Sequence, residues 1–303
     1  MTESLGTACQ QPKGRSMRID SILRSKQSFS FEIFPPRGDL SVEQARGIAN
    51  EMEKCRPDWI SVTFSAGGSG NSQNTVEIAR DIQEAGKTTA LAHLTCLGST
   101  KADVDSIVDR LESHGVENIL ALRGDRAPGR EASDFHHASD LIAYLRQRGL
   151  CVGGACYPEG HVECESLKTD IENLKLKQDA GVDFLVTQLF FRNEDFYRFR
   201  EKCTRARIKV PIICGIMPFT SVNQIQRMAF NCGASIPAAV VKRLVRAGDS
   251  PEAQRVAGVE YACEQLEDLA RNGVDGIHVY SMNKPEIARA AHECLVAAGY
   301  LEA

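Results

Sequence analysis

Ser30-Phe31-Glu32-Ile33-Phe34-Pro35-Pro36 reads as a strand that carries one carboxylate between bulky apolar neighbours and stops at two prolines. In an extended chain successive side chains face opposite sides, so Phe31 and Ile33 share one face while Ser30, Glu32 and Phe34 share the other. Glu32 therefore occupies a position suited to a core residue. A buried glutamate either pairs with a cation or stays protonated, its pKa raised by desolvation. No Lys or Arg stands between Ser28 and Pro36. An ion pair with a basic residue distant in sequence stays open as the plain structural alternative, since such pairs also perturb pKa values.

Outward from this stretch the pattern repeats. Arg18 to Ser25 predicts a short helix leading into the Glu32 strand, and Ser41 caps a helical stretch through Cys55. Strands are predicted at Trp59 to Phe64, Thr89 to Thr95, Asn118 to Leu122, Cys151 to Tyr157, Phe184 to Phe190 and Pro211 to Met217. Helices fall between them at Thr75 to Ala85, Lys101 to His114, Ala138 to Arg148, Ser166 to Ala180 and Glu194 to Ala206. The strand centres recur at roughly thirty-residue steps, a βα period. After a longer helical stretch from Ser221 to Asn272, holding two or three helices, Ile277 to Tyr280 forms the eighth strand and Pro285 to Ala298 covers it.

Eight strands, each followed by a helix, point to an α/β fold of the (β/α)₈ TIM-barrel type, one domain from residue 16 to 303 with extra helices before the last strand. Met1 to Arg15 reads as a loose tail. The competing architecture, a doubly wound open sheet, lacks its G-x-G-x-x-G fingerprint: Gly68-Ser69-Gly70-Asn71-Ser72-Gln73 has no third glycine.

A chain of 303 residues with 43% hydrophobic content can bury a core of that size. The net charge of -4, with Lys and Arg dispersed, leaves no footprint of a nucleic-acid or anionic-membrane partner, so a small-molecule substrate is expected. The 11 cysteines show no C-x-x-C pair and no regular framework, which suits mostly reduced, buried thiols and a cytoplasmic setting. No run approaches the ~18 apolar residues of a membrane span.

Glu32, Thr63, His93, Asp125, Tyr157, Gln188 and Asn283 lie at or just beyond the C-terminal ends of seven strands, the face where barrels keep their active sites. Singly each has a bland reading: His93 as a hydrogen-bonded core histidine, Asp125 as a helix cap or ion-pair member. Seven on one rim are harder to dismiss. Asp170, Asn173 and Lys177 share one helix face, which suits a nucleotide's ribose and phosphates or an ordinary solvated surface. Cys156, His161 and Cys164 lack a fourth ligand and match no zinc spacing, so no metal is expected. No Ser/His/Asp arrangement supports a hydrolase.

Phe31-Glu32-Ile33-Phe34-Pro35-Pro36, Ser61-Val62-Thr63, His93-Leu94-Thr95-Cys96, Leu122-Arg123-Gly124-Asp125, Tyr157-Pro158-Glu159-Gly160-His161, Asp179-Ala180-Gly181 and Thr187-Gln188-Leu189-Phe190-Phe191, in this order and spacing, together resemble the methylenetetrahydrofolate reductase family. The resemblance runs from about Phe29 to the last helix, and it is to the short bacterial form, with no room for the regulatory domain of longer members. It implies a cytoplasmic flavoenzyme of folate one-carbon metabolism that feeds methionine synthesis. FAD would bind at the strand C-termini, NADH or NADPH would be the co-substrate of a ping-pong reduction of methylenetetrahydrofolate, and the chain would form a homo-oligomer. Carried over by motif, the flavin site would use Thr63, Phe64, His93, Arg123, Gly124, Asp125, His137, Ala138, Tyr157, His161, Asp170, Asn173 and Lys177. The folate site would use Glu32, Asp125, Gln188, Gln224 and Lys284, with Glu32 and Asp125 catalytic. The physical reading of Glu32 fits this role: a carboxyl kept protonated by a dry site can give a proton to the folate's ring nitrogen, opening the methylene bridge to an iminium.

Three positions depart from the family's usual pattern. His137-Ala138 replaces Tyr-Ala, Met228 stands where an aromatic residue is common, and Lys284 replaces an Arg, offering a point charge instead of a bidentate fork. Met228 motivates a second reading, a related folate-reducing barrel subunit that takes electrons from a partner protein. A third is a non-catalytic barrel scaffold, against which the intact Glu32, Asp125 and Gln188 argue.

Overall fold

The computed structural model describes residues 17–35, 41–64, 69–126 and 133–302. The tail expected at Met1 to Arg15, the second proline of the opening stretch and Gly68 lie outside the described residues. Eight strands, β1 (Ser28–Ile33), β2 (Trp59–Val62), β3 (Thr89–Thr95), β4 (Asn118–Leu122), β5 (Cys151–Cys156), β6 (Phe184–Thr187), β7 (Ile212–Ile216) and β8 (Gly276–Tyr280), close into one parallel barrel in sequence order. The predicted TIM barrel is therefore the observed fold.

Helices α1 (Ile19–Ser25), α2 (Val42–Glu53), α3 (Ser69–Ala85), α4 (Lys101–Ser113), α5 (Ala138–Arg146), α6 (Leu167–Asp179) and α7 (Asn193–Arg205) precede β1 to β7. The long stretch before β8 resolves into α8 (Val222–Cys232), α9 (Ala238–Ala247) and α10 (Pro251–Arg271), and α11 (Pro285–Ala297) ends the barrel. The third helix starts six residues earlier than Thr75, at Ser69. Gly70, Asn71, Ser72 and Asn74 have weak helix propensity, so the sequence signal begins late. Ser41 caps α2 with a full box, its side chain accepting from the Gln44 amide while Gln44 reaches back, a device that contributes about 1 kcal/mol.

Alternation sorts each strand into two faces. Phe31, Ile33, Ile60, Val62, Ala92, Ile119, Val152, Leu185, Ile216 and Val279 face outward and form the main core beneath the helices. Inward, Trp59, Leu91, Leu120, Phe184 and Ile213 fill the lower barrel together with Ile19 and Ile22 of α1. That helix closes the N-terminal mouth, tied by the Ile19 amide, which donates to the Asn118 side chain at 2.9 Å. Gly153 leaves room for Phe184, since a Cβ there would lie 2.5 Å from the ring. The filled lower barrel leaves the C-terminal mouth as the end where a site can open.

Of the ten cysteines among the described residues, Cys263 of α10 and Cys294 of α11 form a disulfide and eight are free, six of them buried. The expectation of mostly reduced, buried thiols holds apart from this pair. No helix of the described residues is long and apolar enough to cross a membrane.

Candidate active site

Glu32 is the last inward residue of β1, with 9% of its surface exposed. In register it pairs with Ser61 of β2 and Tyr280 of β8. Its carboxyl faces the His93 ring of β3, Oε2 to Nε2 at 3.7 Å. Burial alone pushes the Glu32 carboxyl up to about 8 and the His93 imidazole down to about 3, so between those values both groups are uncharged and the contact is not an ion pair. Neither Lys nor Arg bridges to Glu32 among the described residues. The protonated reading prevails over the buried ion pair for that reason.

Of the five polar atoms buried without a hydrogen-bond partner among the described residues, two are at this mouth: His93 Nε2 of the pair itself and Thr63 Oγ1. Thr63 follows β2, its amide donating to the Ile33 carbonyl at 3.0 Å and its carbonyl accepting from Thr75. Buried polar groups are nearly always satisfied, so two orphans at one mouth mark where a ligand's polar atoms belong. Phe64 packs half-buried against the core next to Thr63.

Arg123, Gly124 and Asp125 follow β4. Gly124 holds φ +89°, the left-handed region, and a Cβ there would stand 3.1 Å from that of Thr95, so only glycine turns the chain this tightly. Asp125 is exposed just beyond. Burial, with smaller pushes from charge on Asp125 and Glu32, takes the half-buried Cys232 thiol of α8 up to about 11. The Arg123 guanidinium is held at 2.7 Å by Glu163 of the β5–α6 connection, with Arg126 3.4 Å from the same oxygen.

A second cluster lies across the mouth. The Tyr157 ring meets His161 edge-on, ring centres 4.6 Å apart, and Lys177 Nζ sits 5.7 Å above the Tyr157 ring while donating to the Ala155 carbonyl at 2.7 Å. Burial lowers the Lys177 pKa and raises that of Asp170. The two are half-buried. Asn173, by contrast, is exposed.

Other expected residues are already engaged. Asn283 donates to the Phe34 carbonyl at 3.1 Å and accepts from its amide at 2.7 Å, a clamp between the ends of β1 and β8. Gln224 accepts from the Thr220 amide at 2.6 Å, fixing the entry to α8. Gln188 accepts from the Leu189 amide at 2.9 Å, leaving its NH₂ group to donate. Lys284, at the N-cap of α11, reaches Thr220 Oγ1 at 3.5 Å, which brings it beside Gln224. His137 is the mostly exposed N-cap of α5 and Ala138 its buried first residue. Met228 is half-buried in the satellite cluster under α8 and α9.

Sequence reading passed over His278 and Tyr280, although alternation with Ile277 and Val279 turns both inward. Tyr280 donates to the Thr187 carbonyl at 2.6 Å, and after burial the Glu32 charge is the largest influence raising its pKa. It also passed over Glu163. No three metal-ligating side chains converge among the described residues; Cys156 is buried and Cys164 donates to the Ser166 carbonyl.

The family model described as methylenetetrahydrofolate reductase matches residues 18–295. The 5,10-methylenetetrahydrofolate reductase of Escherichia coli is 34% identical over 262 residues, 86% of this chain and 88% of the relative. Methylenetetrahydrofolate reductase (NADH) 1 of Arabidopsis thaliana is 32% identical over 286 residues, and the match spans 88% of this chain and 48% of the plant protein. Among solved structures, a Clostridium thermocellum protein described as binding two copies of 5-methyl-5,6,7,8-tetrahydrofolic acid superposes with a TM-score of 0.67 at 17% identity, over 94% of this chain and all of the other. A dihydropteroate synthase of Thermus thermophilus reaches 0.52 at 13% identity, over 91% of this chain and 95% of the other. At those identities the two structures speak to the barrel alone. A family model spanning nearly the whole barrel, with a bacterial relative matched along most of its own length, settles the lineage: the chain belongs to the methylenetetrahydrofolate reductase family, oxidoreductases acting on methylenetetrahydrofolate.

Proposed function

We propose that this protein reduces 5,10-methylenetetrahydrofolate to 5-methyltetrahydrofolate, drawing electrons from NADH or NADPH through FAD in two alternating half-reactions. The observation that carries the reading is the buried, uncharged Glu32 carboxyl facing an unpartnered His93 nitrogen at the open mouth of the barrel. A carboxyl that stays protonated to about pH 8 is an acid ready for use at neutral pH. It gives its proton to one of the two nitrogens that hold the methylene bridge; that carbon–nitrogen bond breaks, leaving an iminium on the other nitrogen, and Glu32 regains a proton before the next turnover. Asp125 and Gln188 stand on the same rim to orient the folate, and Lys284 offers one charge-assisted bond to its carboxylate tail.

The residues present fit a flavin nucleotide. Thr63 Oγ1 and His93 Nε2 lack partners, Gly124 keeps the backbone low against Thr95 at the end of β3, and Arg123, Asp170 and Lys177 supply charge for a phosphate and ribose portion. When bound, FAD would supply the two-electron relay between nicotinamide and folate; the protein supplies positioning and electrostatics. No nucleic-acid or membrane role is proposed; a cytoplasmic homo-oligomer serving one-carbon metabolism and methionine synthesis is. The purified protein should be yellow and should be bleached anaerobically by NADH or NADPH. Yellow protein bleached only with a partner reductase supports the subunit reading instead, and a colourless inert protein removes the enzyme reading.

Flavin retention tests the α6 stripe. Asp170→Ala combined with Lys177→Ala should weaken FAD binding at least tenfold, because a hydrogen bond to a charged group contributes about 1.5–3 kcal/mol and about 1.4 kcal/mol is a factor of ten. Flavin absorbance per protein after gel filtration reads the result. Unchanged retention would return the stripe to a structural role.

A further inference from the structure

Glu32 stays neutral only while water is kept from its carboxyl, and one inward layer below it stands a group the proposed chemistry does not use. His278 precedes Tyr280 by two residues on the inward face of β8, and it pairs in register with Ser30 while Tyr280 pairs with Glu32. Two residues of strand amount to roughly 6.6 Å, one layer toward the closed end. The ring bridges three strands: Nδ1 lies 2.8 Å from Ser30 Oγ of β1 and Nε2 3.3 Å from Ser61 Oγ of β2. Its face meets the Tyr280 ring edge-on, centres 5.4 Å apart. Beneath lies the apolar plug of Trp59, Leu91 and Phe184 sealed by α1. The ring thus separates the dry lower barrel from the mouth.

We infer that His278 is a positioning residue for the acid: clamped between Ser30 and Ser61, its ring fills the layer beneath Glu32 and leaves no room there for a water that would solvate that carboxyl. This rests on the reading of Glu32 as the proton donor. Burial pushes the imidazole down to about 3, with His93 adding a smaller push, so the ring brings no charge of its own at neutral pH. The titratable side chains that face Glu32 are His93 of β3, Tyr280 of β8 and Cys232 of α8; none supplies a cation at neutral pH, which leaves exclusion of water as what sets its protonation.

Removing the ring leaves a void bounded by Ser30 and Ser61 hydroxyls below a carboxyl. A void that is polar and larger than about 30 Å³ takes up water, whereas an apolar one stays dry. The test is a carbon-13 carboxyl titration of the whole chain by NMR, with the Glu32 signal assigned by its absence in Glu32→Gln. His278→Ala should move the Glu32 midpoint down by about one pH unit or more, and the pH profile of the folate half-reaction should move with it. His278→Asn, a smaller change, serves the same measurement if the alanine variant does not fold, and should move the midpoint in the same direction. His278→Leu refills the volume without a polar atom and should leave the midpoint near that of the parent. An unmoved midpoint in both the Ala and Asn variants overturns the inference, as does a Leu variant shifted as far as Ala. A parent protein whose Glu32 titrates near 4.5 would instead overturn the acid reading itself, a separate outcome.

Discussion

Glu32→Gln is expected to slow the folate half-reaction by about 10²- to 10⁴-fold, the usual worth of a general acid, while NADH bleaches the flavin at a near-normal rate. Reduction of the flavin needs no proton at a folate nitrogen, so the two steps separate. Gln keeps the shape and can hydrogen-bond, but it cannot donate a proton to open the bridge. Anaerobic stopped-flow measures each step alone. Equal collapse of both would make Glu32 a flavin-positioning residue, and unimpaired reoxidation by methylenetetrahydrofolate would make its carboxyl structural.

The same substitution carries a signed pH dependence. In the parent, the acid form of Glu32 persists to about pH 8, so the folate half-reaction should fall as pH rises through that value. Folding shows the matching linkage: the native carboxyl holds its proton between 4.5 and about 8 while the unfolded one releases it. The native state then binds more protons, and stability declines as pH rises across that window. Glu32→Gln should flatten this slope in urea unfolding at a series of pH values.

Gly215→Ala should destabilise the protein by about 1–3 kcal/mol, the usual cost of overpacking a filled core. A Cβ at Gly215 would stand 2.4 Å from the Thr187 carbonyl oxygen and 2.6 Å from the Tyr280 ring and hydroxyl. Neither neighbour can yield cheaply, because Thr187 O is backbone and accepts from Tyr280, and the Gly215 amide is itself tied to Thr187 Oγ1 at 2.8 Å. If Tyr280 swings away, its hydrogen bond goes too, about 1 kcal/mol more, and the wall beside Glu32 opens. Gly47→Ala is the contrasting case. Gly47 lies within α2 with nothing inside 4 Å of its would-be Cβ, so alanine there should be neutral or stabilising by up to about 1 kcal/mol through helix propensity. Urea midpoints of the two variants read the opposite signs, and a neutral Gly215→Ala would show that the mouth is looser than its contacts imply.

The barrel was legible along the chain because its causes are local and periodic. Val62, Ala92, Ala121, Ala155, Thr187 and Gly215 mark strand centres at a near-constant interval, and each strand's apolar outer face has to meet the helix that follows. Even the helix after Ser41 announced itself, since an N-cap needs only the amides of the turn that follows it. Where local signals were weak, as at Ser69 to Asn74, the helix began earlier than its residues' propensities mark and the predicted boundary fell short.

For the site, sequence alone determined that Glu32 would be buried without a cation beside it in the chain. Whether a distant one reached it was a matter of tertiary contact, and the facing group proved to be His93, an imidazole that burial also keeps neutral. Asn283 and Gln188 looked alike from the sequence, polar residues at strand ends; in the fold both amide ends of Asn283 are taken by the Phe34 backbone, whereas Gln188 keeps its NH₂ free of the bond to Leu189. Glu163 became visible only once the fold set it against Arg123. Alternation was enough to turn His278 inward, but its bridge to Ser30 and Ser61 joins residues more than 200 positions apart. Periodicity says which way a side chain points; which groups it meets there is decided by closure of the barrel, which brings the first strand against the last.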